Sequence, residues 1–349
     1  MNIRTKLRKA VLYMSALSLL CSFCGCSPHK AGEAGSVVKE DDLIAVGFSQ
    51  IGSESYWRNA NTESMKSVFT KENGYNLIFE DAQQKQTNQI TAIRSFIQMD
   101  VDYIVLAPVV ETGWDTVLSE AKEAGIPVII VDRMVDVSDD SLFNCWVGSD
   151  FELEGKFVCM WMSKYFRIKG ITPENIHIAN IQGTLGSSAQ IGRTNGFNQM
   201  ASMHGWDVVA YEEGDFTRSK GKEAMSKILK SHHDVNVVYC ENDSEALGAI
   251  EAIEANGGIC GDNIQRGETM IVTFDGFNDE VRTRLAEGRI SCIGECNPMH
   301  GPRVESIIRA LEAGETPEKY QYVYEGIFAS SKEIDSVMVS GQERKVTCP

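Results

Sequence analysis

From Leu43 onward the chain alternates short apolar runs with longer amphipathic stretches. The runs "LIAVGF" from Leu43, "YNLIFE" from Tyr75, "DYIVLA" from Asp102 and "IPVIIV" from Ile126 predict four strands. Between them lie stretches of helical spacing from Glu54, stopped by Asn73-Gly74, from Thr87, and from Trp114, closed by Gly125. After a break beyond Asp132 the alternation restarts. Helices are expected from Leu153, Ser187, Arg218, Ser244, Asn278 and Met299, and strands from Asn175, Trp206, Val235, Thr269 and Ile290. Near-continuous Val, Ile and Leu runs suit parallel strands buried on both faces. Strand–helix alternation with short connections implies right-handed crossovers. The expected fold class is α/β, with two doubly wound, Rossmann-like lobes.

The first residues follow another pattern. Arg4, Lys6, Arg8 and Lys9 precede an apolar run of 14 residues, Ala10 to Phe23. That is too short for a bilayer span, which needs about 20, and it reads as a signal peptide over residues 1–25. "FCGC" at its end resembles a bacterial lipobox, with Gly25 before a lipidated Cys26. Plain secretion after an unlipidated cut is the alternative. Residues 26–42 are small, polar and aperiodic, a flexible tether. These features place the folded body outside the cytoplasm, held at the cell membrane by lipid.

Composition narrows the function classes. The chain has 349 residues, long enough for two domains, and carries a formal charge of −16. Loss of residues 1–25, with four Lys/Arg and no Asp/Glu, takes it to −20. Nucleic-acid binding needs a basic footprint and is disfavoured. Seven Cys remain beyond Cys26, scattered and mostly in strand-like surroundings, so they read as small buried hydrophobes. No paired metal spacing, P-loop, G-x-G-x-x-G or G-x-S-x-G is present, and no cofactor is expected.

In doubly wound sheets ligands bind outside the carboxyl ends of the strands. The residues there include Ser49-Gln50, Glu80-Asp81, Asp132-Arg133, Gln182-Gly183, Asp215-Phe216, Glu241-Asn242-Asp243, Asp275-Gly276 and Glu295. Polar and carboxylate groups recur at nearly every one, as a polar ligand requires.

These positions also carry a resemblance. "VGFSQIGSESYWRNA" from Val46, "DAQQKQTNQI" from Asp81, the run ending "IPVIIVDR" at Arg133, "QGTLGSSAQIGRTNGF" from Gln182, "NDSEALGAI" from Asn242, "FDGF" from Phe274 and "ECNPMHGP" from Glu295 resemble the type I periplasmic sugar-binding proteins. Within them they are similar to the galactofuranose-binding branch of the ribose-binding-like receptors. The resemblance implies a monomeric two-lobed receptor that closes on a neutral monosaccharide and delivers it to the permease subunits of an ABC transporter. A sensor kinase or chemoreceptor is the alternative partner. It also implies a three-stranded hinge, with crossings near Trp146, Glu295–Cys296 and Tyr324. The lobes would then be 43–146 plus 296–324, and 147–295 plus 325–349.

A sugar offers apolar C–H faces and a ring of hydroxyls, which call for an aromatic plate and planar charged partners. Trp57 matches the family's stacking aromatic, and Arg58 would donate to hydroxyls. Phe216 is the candidate plate from the second lobe, with interlobe packing as its other reading. Asp132-Arg133 would accept from and donate to hydroxyls, or form a local turn pair. Arg193 is aimed at the strand ends or is a solvated helix residue. Asn242, Asp275 and Glu295 would supply acceptors, although Asn242 and Asp275 also suit caps and turns. Asp81 and Glu54 are secondary contacts. The candidate charges are balanced to acidic, which favours a neutral polyol over an anionic sugar. A glycosidase using these carboxylates is disfavoured, since neighbouring Arg residues oppose the raised pKa an acid needs.

Overall fold

The computed structural model describes residues 42–349, so the signal segment and Cys26 lie outside the described residues. Two sheets form the framework of two lobes. The first contains β1 (Ile44–Gln50), β2 (Tyr75–Asp81), β3 (Tyr103–Leu106), β4 (Val128–Val131), β5 (Cys145–Gly148) and, from late in the chain, β12 (Tyr320–Tyr322). Their spatial order is β12-β5-β4-β3-β1-β2, every pairing parallel. α1 (Tyr56–Val68), α2 (Gln86–Gln98), α3 (Asp115–Glu123) and α9 (Gly301–Glu312) cover this sheet. Val46, Phe48, Val105 and Val131 pack on one of its faces, and Ile104, Leu106, Ile130 and Trp114 on the other. Burial on both faces is what the unbroken apolar runs require.

The second sheet contains β6 (His177–Gln182), β7 (Asp207–Glu213), β8 (Val237–Cys240), β9 (Ile259–Cys260), β10 (Glu268–Asp275) and β11 (Cys292–Glu295). Its end is extended by β13 (Ile327–Ala329), β14 (Ser336–Val339) and β15 (Gln342–Thr347). The order is β14-β15-β13-β11-β10-β8-β6-β7, with β9 beside β10. β13 runs antiparallel to β11 and the C-terminal β14–β15 hairpin docks on it. α4 (Phe151–Lys169), α5 (Ser188–His204), α6 (Arg218–Ser231), α7 (Asp243–Ala255) and α8 (Asp279–Ala286) flank this sheet. α4 lies close on α5 because Gly192 has no side chain: a Cβ there would stand 2.6 Å from Phe151 Cβ.

The chain passes between the lobes three times, at residues 149–150, 296–300 and 323–326. The first passage lies beyond Trp146, which is an interior residue of β5 and donates its indole N–H to the Asp132 carbonyl at 3.1 Å. The run "CWVG" is too short to show a period, which is why the sequence pattern breaks there. β12 and β15 escape it because they are polar and largely exposed rather than apolar runs. No helix among the described residues is long and apolar enough to cross a membrane.

Candidate functional site

Every crossover helix in such a sheet begins near a strand's carboxyl end, so helix N-termini from both lobes converge on one cleft. Caps fix their first turns. Ser55 Oγ accepts from Arg58 N, Asp150 from Leu153 N and Ser187 from Gln190 N. Asn242 and Glu245 form a reciprocal capping box at α7. Between these ends lies a cavity lined by Glu54, Trp57, Arg58, Asp132, Arg133 and Phe151. Arg193, Phe216, Asn242, Asp275 and Cys296 complete its wall, with Ser55 and Ala189.

The lobes are closed on one another. Glu111 N donates to Gly186 O at 3.0 Å, and Met134 N to Ser188 Oγ at 2.7 Å. Trp57 and Phe216, from opposite lobes, join Phe151, Ala189 and Cys296 in one apolar cluster. Trp57 also donates its indole N–H to the Cys296 carbonyl at 2.7 Å, which ties α1 to the second passage.

Three guanidiniums reach the cavity, held in different ways. Arg58 donates to Glu54 at 3.1 Å, Asp132 at 2.8 Å and Gln50 at 3.3 Å, three of its five N–H groups. Burial opposes its charge, but Asp132 and Glu54 outweigh that and raise its pKa. Arg193 donates to Glu154 at 3.0 Å and to the Glu241 carbonyl, with Asp275 at 3.5 Å and the Phe274 ring at 4.6 Å. Arg133 forms no ion pair among the described residues. One N–H goes to the Val109 carbonyl at 2.7 Å and its guanidinium lies 5.0 Å from the Phe216 ring centre. Burial and the neighbouring Arg58 bring its pKa down to about 10. It is the guanidinium with most donors to spare.

The carboxylates are set by backbone as much as by side chain. Asp132 and Asp275, each at or just past a strand end, have φ of 64° and 88°. Phe216 has φ 57° and rests on Gly183, where a Cβ would collide with its ring. Left-handed backbone at non-glycine residues costs about 1–3 kcal/mol and persists where the surroundings enforce it. Burial raises the Asp275 pKa to about 7, with Arg193 pulling against it and Glu154 and Asp132 adding to it.

Two anticipated contacts lie elsewhere. Asp81 ends β2 at the sheet edge, exposed, and its carboxylate accepts from Gln83 N at 2.8 Å in a local turn. Glu295 ends β11 but turns to the third passage, accepting from Gly326 N at 2.8 Å. Asn242 reaches the wall while its side chain serves as the cap of α7 and bonds the Phe216 carbonyl at 3.1 Å. Conversely Phe151, Ala189, Ser55 and Cys296 line the cavity unforeseen; a survey of helix first turns, rather than strand ends alone, would find the first three.

A closable, charge-lined cleft between two α/β lobes joined by three passages defines a class of ligand-binding receptor. Residues 44–298 match the periplasmic binding protein domain family, and the chain belongs to it. It is 40% identical over 281 residues to the galactofuranose-binding protein YtfQ of Escherichia coli K12, covering 79% of this chain and 85% of that protein. A Mycobacterium smegmatis structure in complex with β-D-fucofuranose superimposes with a TM-score of 0.77 at 41% identity, over 82% of this chain and 92% of that one. The binding protein of the arabinose ABC transporter of Shewanella sp. ANA-3, bound to α- and β-L-arabinofuranose, gives 0.75 and 41% over the same shares.

Proposed function

We propose that this protein is an exported, lipid-anchored receptor that captures a neutral monosaccharide in its furanose ring form and passes it to an ABC permease. The observation that carries the reading is the balance of the cavity wall. Glu54, Asp132 and Asp275 face Arg58, Arg133 and Arg193, three carboxylates against three guanidiniums. An anionic sugar would meet buried carboxylates, whereas hydroxyls pair with both kinds of group. Trp57, Phe151 and Phe216 offer apolar surface to C–H faces. The furanose form is supported by the sugars named for the relatives above. Asp132, Arg133, Arg193, Asn242 and Asp275, with Arg58 and Glu54, are the contacts we propose; Cys26 is the proposed lipid site.

Capture follows from closure. A sugar that touches both lobes binds the closed form better than the open one and shifts the population by that difference. The test is titration of residues 27–349 with D-galactose, D-fucose, L-arabinose and D-ribose, read by tryptophan fluorescence and melting temperature. A ligand at 100 times its Kd adds about 2.7 kcal/mol of stability. A saturable response to one sugar, lost in R133A, supports the reading; silence toward all four with turnover of a glycoside overturns it.

A further inference from the structure

Sharing Cys296 with the cavity wall is a second buried cluster, built from all three passages. Ser149 of the first passage donates its Oγ–H to Glu325 Oε1 of the third at 2.8 Å. Asn297 N of the second donates to the same oxygen at 2.6 Å. Cys296 Sγ lies 3.5 Å from Ser149 Oγ. Facing Glu325 is Glu154 of α4, which belongs to the second lobe and holds Arg193 through its other oxygen, Oε2. Glu154 Oε1 is buried, with only the Glu325 carboxyl and the weakly donating Cys296 thiol beside it. Both residues are more than nine-tenths buried.

The charges do not balance. Two carboxylates meet one guanidinium, and that guanidinium is shared with Asp275. Two buried carboxyl groups in contact cannot both ionise without a large penalty; one proton held between them removes it and gives Glu154 Oε1 a stronger donor than a thiol. Burial, then each other's charge, push Glu325 well up, and burial pushes Glu154 up against the pull of Arg193. The other titratable neighbours are the Cys296 thiol, the Tyr239 hydroxyl and Asp275, all buried. Asp150, Glu295 and the cation of Arg344 line the same cleft as Glu154 and Glu325.

We infer that Glu154 and Glu325 share one proton in the closed protein and that this proton couples the grip of Arg193 to the hinge. Rotation at the passages admits water to the pair and separates its members, so both ionise and the proton leaves. Closure takes it back. Sugar binding therefore carries a proton uptake, an inference that rests on the proposed sugar-binding function. Glu154 is a positioning residue in this scheme: it acts through Arg193.

The measurement is calorimetric titration of the purified chain with D-galactose, whose solution equilibrium supplies the furanose ring, in buffers of different ionisation heat between pH 6 and 9. The expected result is uptake of close to one proton per sugar at pH values below the pKa of the closed pair, fading above it, with an affinity that falls about tenfold per pH unit where the uptake is full. E325Q keeps an oxygen for Ser149 and Asn297 and gives Glu154 a permanent N–H donor, so it binds as tightly as the native chain at pH 6 and loses most of the slope. Slope that persists in E325Q and vanishes in D275N belongs to Asp275. E154Q weakens binding at every pH. Parallel profiles for native and E325Q overturn the inference, as does tightening by a divalent cation that EDTA reverses. If no sugar binds at any pH, the functional reading fails separately. The pair is then read in a closed form locked by an M134C/S188C disulfide, with carboxyl-labelled glutamate NMR. A carboxyl titrating above neutrality that E325Q abolishes supports the shared proton, and its absence overturns it.

Discussion

Arg58 and Arg193 reach the same cavity from opposite lobes, and each finds its carboxylates at home. Arg58 takes Glu54 and Asp132 from the first lobe; Arg193 takes Glu154 and Asp275 from the second. What joins the lobes across the cleft is uncharged or singly charged: the Arg133–Phe216 contact, two hydrogen bonds at Glu111 and Met134, and the apolar cluster of Trp57, Phe151, Ala189, Phe216 and Cys296. A buried ion pair broken on opening would cost several kcal/mol. With those pairs kept inside each lobe, opening breaks no ion pair, only contacts worth about 1 kcal/mol each and the packing of the apolar cluster. The second difference is depth. Arg58 stops at its own lobe, whereas Arg193 continues through Glu154 to the hinge.

Substitutions can break this contrast. R193A leaves Glu154 and Asp275 buried without their cation, so it should cost about 3–5 kcal/mol of stability in denaturant unfolding and abolish binding together. R133A removes a buried cation that makes no direct ion pair; binding should weaken about 10- to 100-fold while stability holds or rises, which separates gripping from folding. Should R133A unfold the protein as R193A does, the distinction between paired and free guanidiniums is wrong. F216A removes the interlobe ring at about 1–2 kcal/mol, which small-angle scattering should register as a more open ligand-free protein with weaker binding.

The smallest effect is that of pH. The Asp275 pKa in the folded protein, about 7, lies above its ordinary value. The folded state therefore holds the proton more firmly, and stability is fullest in acid and falls as pH rises through 7. From pH 6 to 8 the native chain should lose about 1 kcal/mol relative to D275N, read as converging or crossing melting curves. Parallel curves would show that Arg193 keeps Asp275 ionised throughout.

Particular residues show how far the pattern reached. Asp132-Arg133 after "IPVIIV" and Asp275 after "TMIVTF" were legible because a buried parallel strand must end on polar groups facing the cleft. Asp81 and Glu295 occupy the same kind of position and do not line it. Asp81 sits on an edge strand, and Glu295 is claimed by the backbone of the third passage. Sequence position relative to a strand specifies the height of a side chain in the sheet, and lateral place in the strand order specifies which ligand it can reach. Cys296 belongs to a passage, whose partners are distant in sequence: its carbonyl meets Trp57 across 239 positions.

By itself, the sequence determined the two α/β halves, the polar strand ends and the charged residues that a cleft would need, because these follow from periodicities of a few residues. Tertiary structure alone decided which charges pair, which guanidinium is left free, and that Glu154 and Glu325 share one buried place at the hinge. Pairing energies depend on distance and on exclusion of water, and both are set only when segments far apart in the chain pack together.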